Sequence, residues 1–459
     1  MRGNVVLPFS VSLLTVILAA GLSRAQVYDE IDELGGIEER ERESLVNCIH
    51  DSTPRFGKRI CDCGYRNEEY IAPKFEGSTT EIELANCKYL RIRRDTFSDL
   101  FQLTKLTVVN VENLILEQYS FDFTRNNPSA RLKIHFVNDL IEEVPSHFIT
   151  GPVADITFTR CRIGIFRPYS ISNIHEQLEQ LNLEENIINR LERHAFKRFD
   201  VGQFTIDGSK FLMAIPSQSF YEIEVINRFI ISNNSFVALH PLAFVMKNVS
   251  DLMISNNEFN DMAGESFSMQ IRNSVRIVGN YFVSIDNAVF KAITLDSSYY
   301  SRHSEQPSLL FHNNRIQRLD SETKSTYFSD DFNVQLRGIY VQQSIDCQQM
   351  LVLKQSNLLT QNQEEVFFGA ISKSGEFNSF HDIRTRQCAD DNFWLYLVIG
   401  ATVASIVLAL LALIIAFYCV AQKKKQRKKF DIVMPEPRTY RETQIIMQVE
   451  NHGLLKTDL

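Results

Sequence analysis

Eight cysteines are the side chains of this chain best equipped for chemistry, and their placement points to disulfides before catalysis. Cys48, Cys61, Cys63 and Cys87 lie close together near the N-terminus, with Cys347 and Cys388 far downstream. In a secreted setting such thiols persist as disulfides, and four of them allow three pairings that the sequence leaves open. Zinc is the competing chemistry for Cys61-Asp62-Cys63, but no His stands at ligand spacing. We therefore assign no metal. The ten histidines are scattered, and there is no P-loop, GxSxG or HExxH motif. Glu184 and Glu185 are consecutive, so they face opposite ways and form no general acid/base pair. The sequence offers no catalytic set and implies no cofactor.

Other residues carry modification or recognition chemistry. Asn233-Asn234-Ser235 and Asn248-Val249-Ser250 are glycosylation sequons, whereas Asn127-Pro128-Ser129 is excluded by its Pro. Cys419 follows an apolar run and is a palmitoylation candidate, a plain membrane-buried thiol being the alternative. Near the C-terminus, Glu450, Leu454 and Leu455 have the ExxxLL form of a sorting signal read by an adaptor. Thr457-Asp458-Leu459 has the form of a PDZ ligand, in which Thr457, Leu459 and a free carboxylate add to a sheet edge of a scaffold. Tyr440 is an isolated tail tyrosine.

What must position these groups is a repeat. Leu178, Leu181, Leu183, Asn186, Ile188, Leu191 and Phe196 spell LxxLxLxxNxLxxL followed by Phe. The same frame returns around Cys161, Asn234, Asn257, Asn280 and Asn314, and upstream around Cys87. The units ending at Phe121, Phe148 and Phe220 fit with a one-residue slip, and the unit of Asn314 has Lys324 where Phe is expected. Spacing is 23 to 26 residues until a 34-residue step from Asn280 to Asn314. Recurrence at such a period marks stacked coils that bury a continuous core only together. Each coil has a short strand whose alternate side chains point inward. Its Asn or Cys also points inward, where Asn can bond backbone groups that are costly to bury unpaired. Leu183, Ile231, Ile254 and Ile277 are thus predicted on one ladder, with Cys161 a buried unpaired thiol in the Asn row.

Over residues 48 to 325 the chain resembles the extracellular leucine-rich-repeat membrane proteins. The resemblance implies an α/β repeat solenoid, a curved leucine-rich-repeat stack of about ten coils. It also implies a cysteine-containing N-terminal cap at 48–81, repeats at 82–325, and a C-terminal cap and juxtamembrane segment at 326–392 with Cys347 paired to Cys388. By the same resemblance the chain binds a protein ligand and is no enzyme. The alternatives are a parallel β-helix that binds or cleaves polysaccharide and a structural or trafficking protein of internal membranes. Single exposed strand positions four residues before the Asn place are Thr157, Asn182, Thr205, Ile230, Met253, Arg276 and Leu310. The last four combine large apolar groups with Arg, as protein contacts do, and are the candidate ligand-binding residues.

The ends set the topology. Arg2, the apolar run from Val5 to Ala20 and Ser23-Arg24-Ala25 form a signal peptide, 1–25. Residues 26–47 are an acidic arm. Phe393 to Ala421 is an uncharged run of 29 residues, long enough for a transmembrane helix, followed by Lys423, Lys424, Lys425, Arg427, Lys428 and Lys429. The positive-inside rule makes 422–459 a cytoplasmic tail and the chain a single-pass type I protein of the plasma membrane. The formal net charge is −8, and the tail holds nine Lys or Arg against five Asp or Glu, so the acidic excess lies in the rest of the chain. That argues against a nucleic-acid partner. A tail this short holds no signalling domain, which points to a co-receptor or scaffold. Residues 296–306 read as a surface loop lengthening one coil.

Overall fold

The computed structural model describes residues 44–45, 48–50 and 57–430, except 173, 175–176, 301–305, 320–325, 360–362, 370–376 and 389. The signal peptide, the acidic arm apart from Ser44–Leu45, and the tail beyond Phe430 lie outside the described residues. So do Tyr440, Glu450, Leu454, Leu455, Thr457 and Leu459. Two compact units are present, Met1–Arg384 and Thr385–Leu459.

The first unit is a parallel β-solenoid of about 12 turns. Each regular coil contributes one strand to each of two long sheets. In the sixth coil, Leu178–Glu184 pairs in parallel with Asp155–Thr159 and Asp200–Asp207, and Ile187–Leu191 pairs with Arg162–Phe166 and Lys210–Phe211. We call these the first and second sheets. Alternation explains the first: Leu181 and Leu183 are fully buried while Asn182 between them is half-exposed. Leu183, Ile206, Ile231, Ile254 and Ile277 follow one another in register, as the repeat frame predicts.

The α/β character expected from the resemblance is not seen. Where a leucine-rich repeat would leave the sheet for a helix or an irregular arc, this chain builds the second sheet. Ile188 and Leu191 are buried with two exposed residues between them, yet the register to Ile163 and Phe166 holds across the gap. Burial three residues apart is not the alternation that marks a strand, which is why one strand per coil was legible and two were not. A third wall is made by the repeat's Phe, where Phe196, Phe220, Phe244 and Phe267 align on successive coils. Phe290 bridges Phe328, so Phe328 takes the place assigned to Lys324; the longer coil displaces the frame, not the wall.

The coils also outnumber the repeats. Lys58–Asp62 pairs in register with Glu81–Ala85 and Glu69–Ile71 with Tyr89–Ile92, so much of the expected N-terminal cap is itself a coil. Beyond Leu319, where the period fades, Asn333–Arg337 and Ile339–Val341 extend both sheets. Buried Ile339 stands where Asn314 stands one coil earlier, and an apolar residue there is invisible to a frame keyed on Asn. Both ends carry antiparallel strands that blunt the open edge: Cys48–His50 on the first sheet and Asn378–Ser379 on the second. Disulfides join Cys48 to Cys61 and Cys63 to Cys87. Cys347 and Cys388 are each disulfide-bonded. The long connection after Asp296 begins with a helical turn, Ser297–Tyr300, while Val278 still pairs with His312 across it.

The second unit contains the helix Asp390–Phe430, whose stretch Trp394–Arg427 includes an 18-residue window with a mean hydropathy of 2.9 and no burial. It is long and apolar enough to cross a bilayer, and it runs on into the basic residues that follow.

Candidate functional site

The residues singled out for binding come together. Thr157, Asn182, Thr205, Ile230, Met253, Arg276 and Leu310 pair in unbroken register along the outer side of the first sheet. Their neighbours on each strand point inward, Phe229 and Ile231 on either side of Ile230 for example, so pleating alone turns the row outward. The row changes character along its length. Asn182 Nδ2 donates to Thr157 Oγ1 at 3.3 Å, whereas from Ile230 onward the row is mainly apolar. Met253 is 38% exposed, Arg276 is exposed, and Ile230 and Leu310 are half-buried.

Beside Met253 the surface dips into a cleft of about 400 Å³, flanked by Arg228 and Arg276. Asp251 shares the cleft, but its Oδ1 already accepts from Ser274 Oγ at 2.6 Å and Asn273 Nδ2 at 2.9 Å. Among the described residues neither Arg228 nor Arg276 has an ion-pair partner. Arg91, Arg131, Arg167, Arg198 and Arg272 each pair with a carboxylate one or more coils away. The cleft thus offers two unpaired guanidiniums around a thioether, a surface able to hold an anion and an apolar group side by side.

Three features escaped sequence reasoning. Leu212, Met213 and Val237, which are 52%, 49% and 42% exposed, form an apolar patch on the second sheet more open than the predicted row. Ser209 fills the Asn place of that coil, and the frame fits as far as Phe211 and slips by one residue before Ile215, across Leu212 and Met213. Tyr119, His147, Tyr169 and His194 lie in the left-handed region and align their rings along one corner, with centroids 5.7 to 5.9 Å apart. Arg94 covers the Tyr119 ring and Lys197 reaches both Tyr169 and Tyr221. Burial lowers the pKa of His194, against its hydrogen bond with Gln218, and burial followed by Lys105 lowers that of His135. Finally, Asp139 occupies the Asn row, 2% exposed, and accepts from the N–H groups of Val111 and Val137. Burial pushes its carboxyl up to about 8.

The remaining predicted residues are dispersed. Asn233 is exposed and donates to Asp207 Oδ1 at 2.8 Å; Asn248 is half-buried and donates to Glu224. Cys161 is a free buried thiol, and Cys419 is free and exposed on the apolar helix. Among the described residues no group of three or more His, Cys, Asp or Glu is placed to hold a metal ion.

Fold and site together define a disulfide-bonded parallel β-solenoid in a chain that has, among the described residues, one membrane-competent helix. No protein-family model, curated protein or solved structure matches this chain.

Proposed function

We propose that this chain is a cell-surface receptor or adhesion protein whose solenoid binds a protein ligand along the outer face of its first sheet, without catalysis. The observation that carries this is the polar-to-apolar change at Ile230, where Met253, Arg276 and Leu310 follow in register beside the cleft. Isolated exposed apolar residues are ordinary; an in-register row of exposed Met253 and half-buried Ile230 and Leu310 flanking an unpaired Arg has the composition of a contact surface. The LxxLxLxxN motif of Leu178–Asn186 supports kinship with the extracellular leucine-rich-repeat membrane proteins. The disulfides and the apolar helix support an ectodomain in an oxidising compartment, with a single-pass type I topology at the plasma membrane. The motifs at Glu450–Leu455 and Thr457–Leu459 favour action through a sorting adaptor or a PDZ scaffold, with a co-receptor as a further partner.

The test is a binding screen with full-length protein in nanodiscs, wild type against Met253→Glu and Leu310→Glu. Loss of protein partners in both variants, with the β-rich circular dichroism spectrum unchanged, supports the reading; unchanged partners in both sink it. A second reading, a polysaccharide-binding β-helix, is favoured by the all-strand coils and predicts hits on a glycan array instead.

A further inference from the structure

Resting on the protein-binding reading above, we infer that the cleft between Arg228 and Arg276 takes an extended acidic segment of a partner protein. Its carboxylates meet the two guanidiniums and an aliphatic side chain between them packs on Met253 and Ile230.

Charge sets the first half of this assignment. The chain carries a formal net charge of −8, and cross-coil carboxylates neutralise many of its arginines. Arg228 and Arg276 are left unpaired where the surface is concave, and the one acid beside them, Asp251, is held by Ser274 and Asn273. A planar guanidinium in that state is a bidentate receptor for a carboxylate.

Geometry sets the second half. Arg228 pairs with Asp251 and Asp251 with Ser274, while Met253 pairs with Arg276, so the two arginines stand two coils apart with Met253 on the coil between. Neighbouring strands are about 4.8 Å apart, which separates their backbones by roughly 10 Å along the axis. In an extended peptide alternate side chains share a face at about 6.8 Å intervals. An acidic–x–aliphatic–x–acidic segment therefore places two carboxylates about 14 Å apart around one apolar group, a mismatch that long Arg side chains span. The apolar centre favours a peptide over an anionic polysaccharide, which has no aliphatic side chain to offer Met253.

The experiment uses full-length protein in nanodiscs and fluorescence anisotropy with labelled peptides. The probe is Glu-Thr-Leu-Thr-Glu; the controls are Gln-Thr-Leu-Thr-Gln, Glu-Thr-Thr-Thr-Glu, a hyaluronan oligosaccharide and a peptide of residues 27–43 of this chain. The expected result is binding of the probe that weakens roughly tenfold or more in the Gln control and in Arg228→Gln or Arg276→Gln, since hydrogen bonds to charged groups carry that much. Raised salt weakens it too. If Glu and Gln peptides bind equally and Met253→Glu abolishes both, the carboxylate assignment fails while the protein-binding face stands. If the probe does not bind at millimolar concentration, the inference is overturned. Tighter binding of hyaluronan overturns it together with the protein-ligand reading. Tighter binding of the 27–43 peptide overturns the external partner in favour of the chain's own acidic arm.

Discussion

Asn257 offers its side-chain oxygen to the backbone N–H of Asn234 at 2.9 Å, while its side-chain nitrogen donates to the carbonyl of Ile231 at 2.8 Å. The same reciprocal use of one amide repeats at Asn186, Asn234, Asn280 and Asn314. Each buried Asn thus satisfies a turn N–H between the two sheets and adds a bond to the carbonyl of a strand residue such as Ile231. Asn257→Ala leaves the N–H of Asn234 buried without this acceptor, at about 1–3 kcal/mol. Chemical denaturation of the solenoid should show a loss of that size, and an unchanged midpoint would mean the ladder is not a stability element.

Asp139 makes the same row respond to pH. Its folded pKa of about 8 reflects burial outweighing two N–H donors. An unfolded Asp titrates near 3.9. Between about pH 4 and pH 8 the folded chain binds the extra proton, so stability falls as pH rises through that window and levels off above it. Asp139→Asn keeps an acceptor and removes the charge, so it should raise the melting temperature more at pH 9 than at pH 5. The penalty relieved is on the order of a few kcal/mol. Equal gains at the two pH values would show that the carboxyl does not titrate in the folded state.

Phe244 lies between Phe220 and Phe267, with ring centroids at 4.6 and 5.1 Å, and is fully buried. Phe244→Ala opens a cavity between its two wall neighbours and Phe229, and should cost about 3–5 kcal/mol. Phe244→Leu should recover much of that. The comparison is a pair of urea melts, and equal midpoints for the two variants would mean the wall tolerates voids.

Cys161 has no exposure, and burial, reinforced by the nearby Asp139 charge, pushes its thiol up to about 12. Thiolate is the reactive form, so folded protein should leave Cys161 unlabelled by iodoacetamide at pH 8 and label it only in denaturant, read by peptide mass. Cys161→Ser should fold, because Ser209 already fills the same row.

Much of the core was written in the sequence because it depends on two short-range rules. Pleating puts alternate residues inside, which placed Leu183, Ile231 and Ile254, and a buried turn needs an inward polar group, which placed Asn186, Asn234, Asn257, Asn280 and Asn314. Pleating also placed Ile230, Met253, Arg276 and Leu310 on one outer row. The second sheet was hidden because Ile188 and Leu191 are buried three apart, a spacing shared by helices, turns and bent strands alike. Which arginines lack partners was hidden as well: Arg167 and Arg228 look equivalent in sequence, and only the stacking of coils brings Glu143 into an ion pair with the first while the acid stacked on the second, Asp251, is held by Ser274 and Asn273. The sequence by itself determined a stack with an inward Asn row, because its repeat states both. Only the tertiary structure decided that each regular coil adds a strand to a second sheet and that the cleft beside Met253 is open, because both depend on contacts between residues a full coil apart.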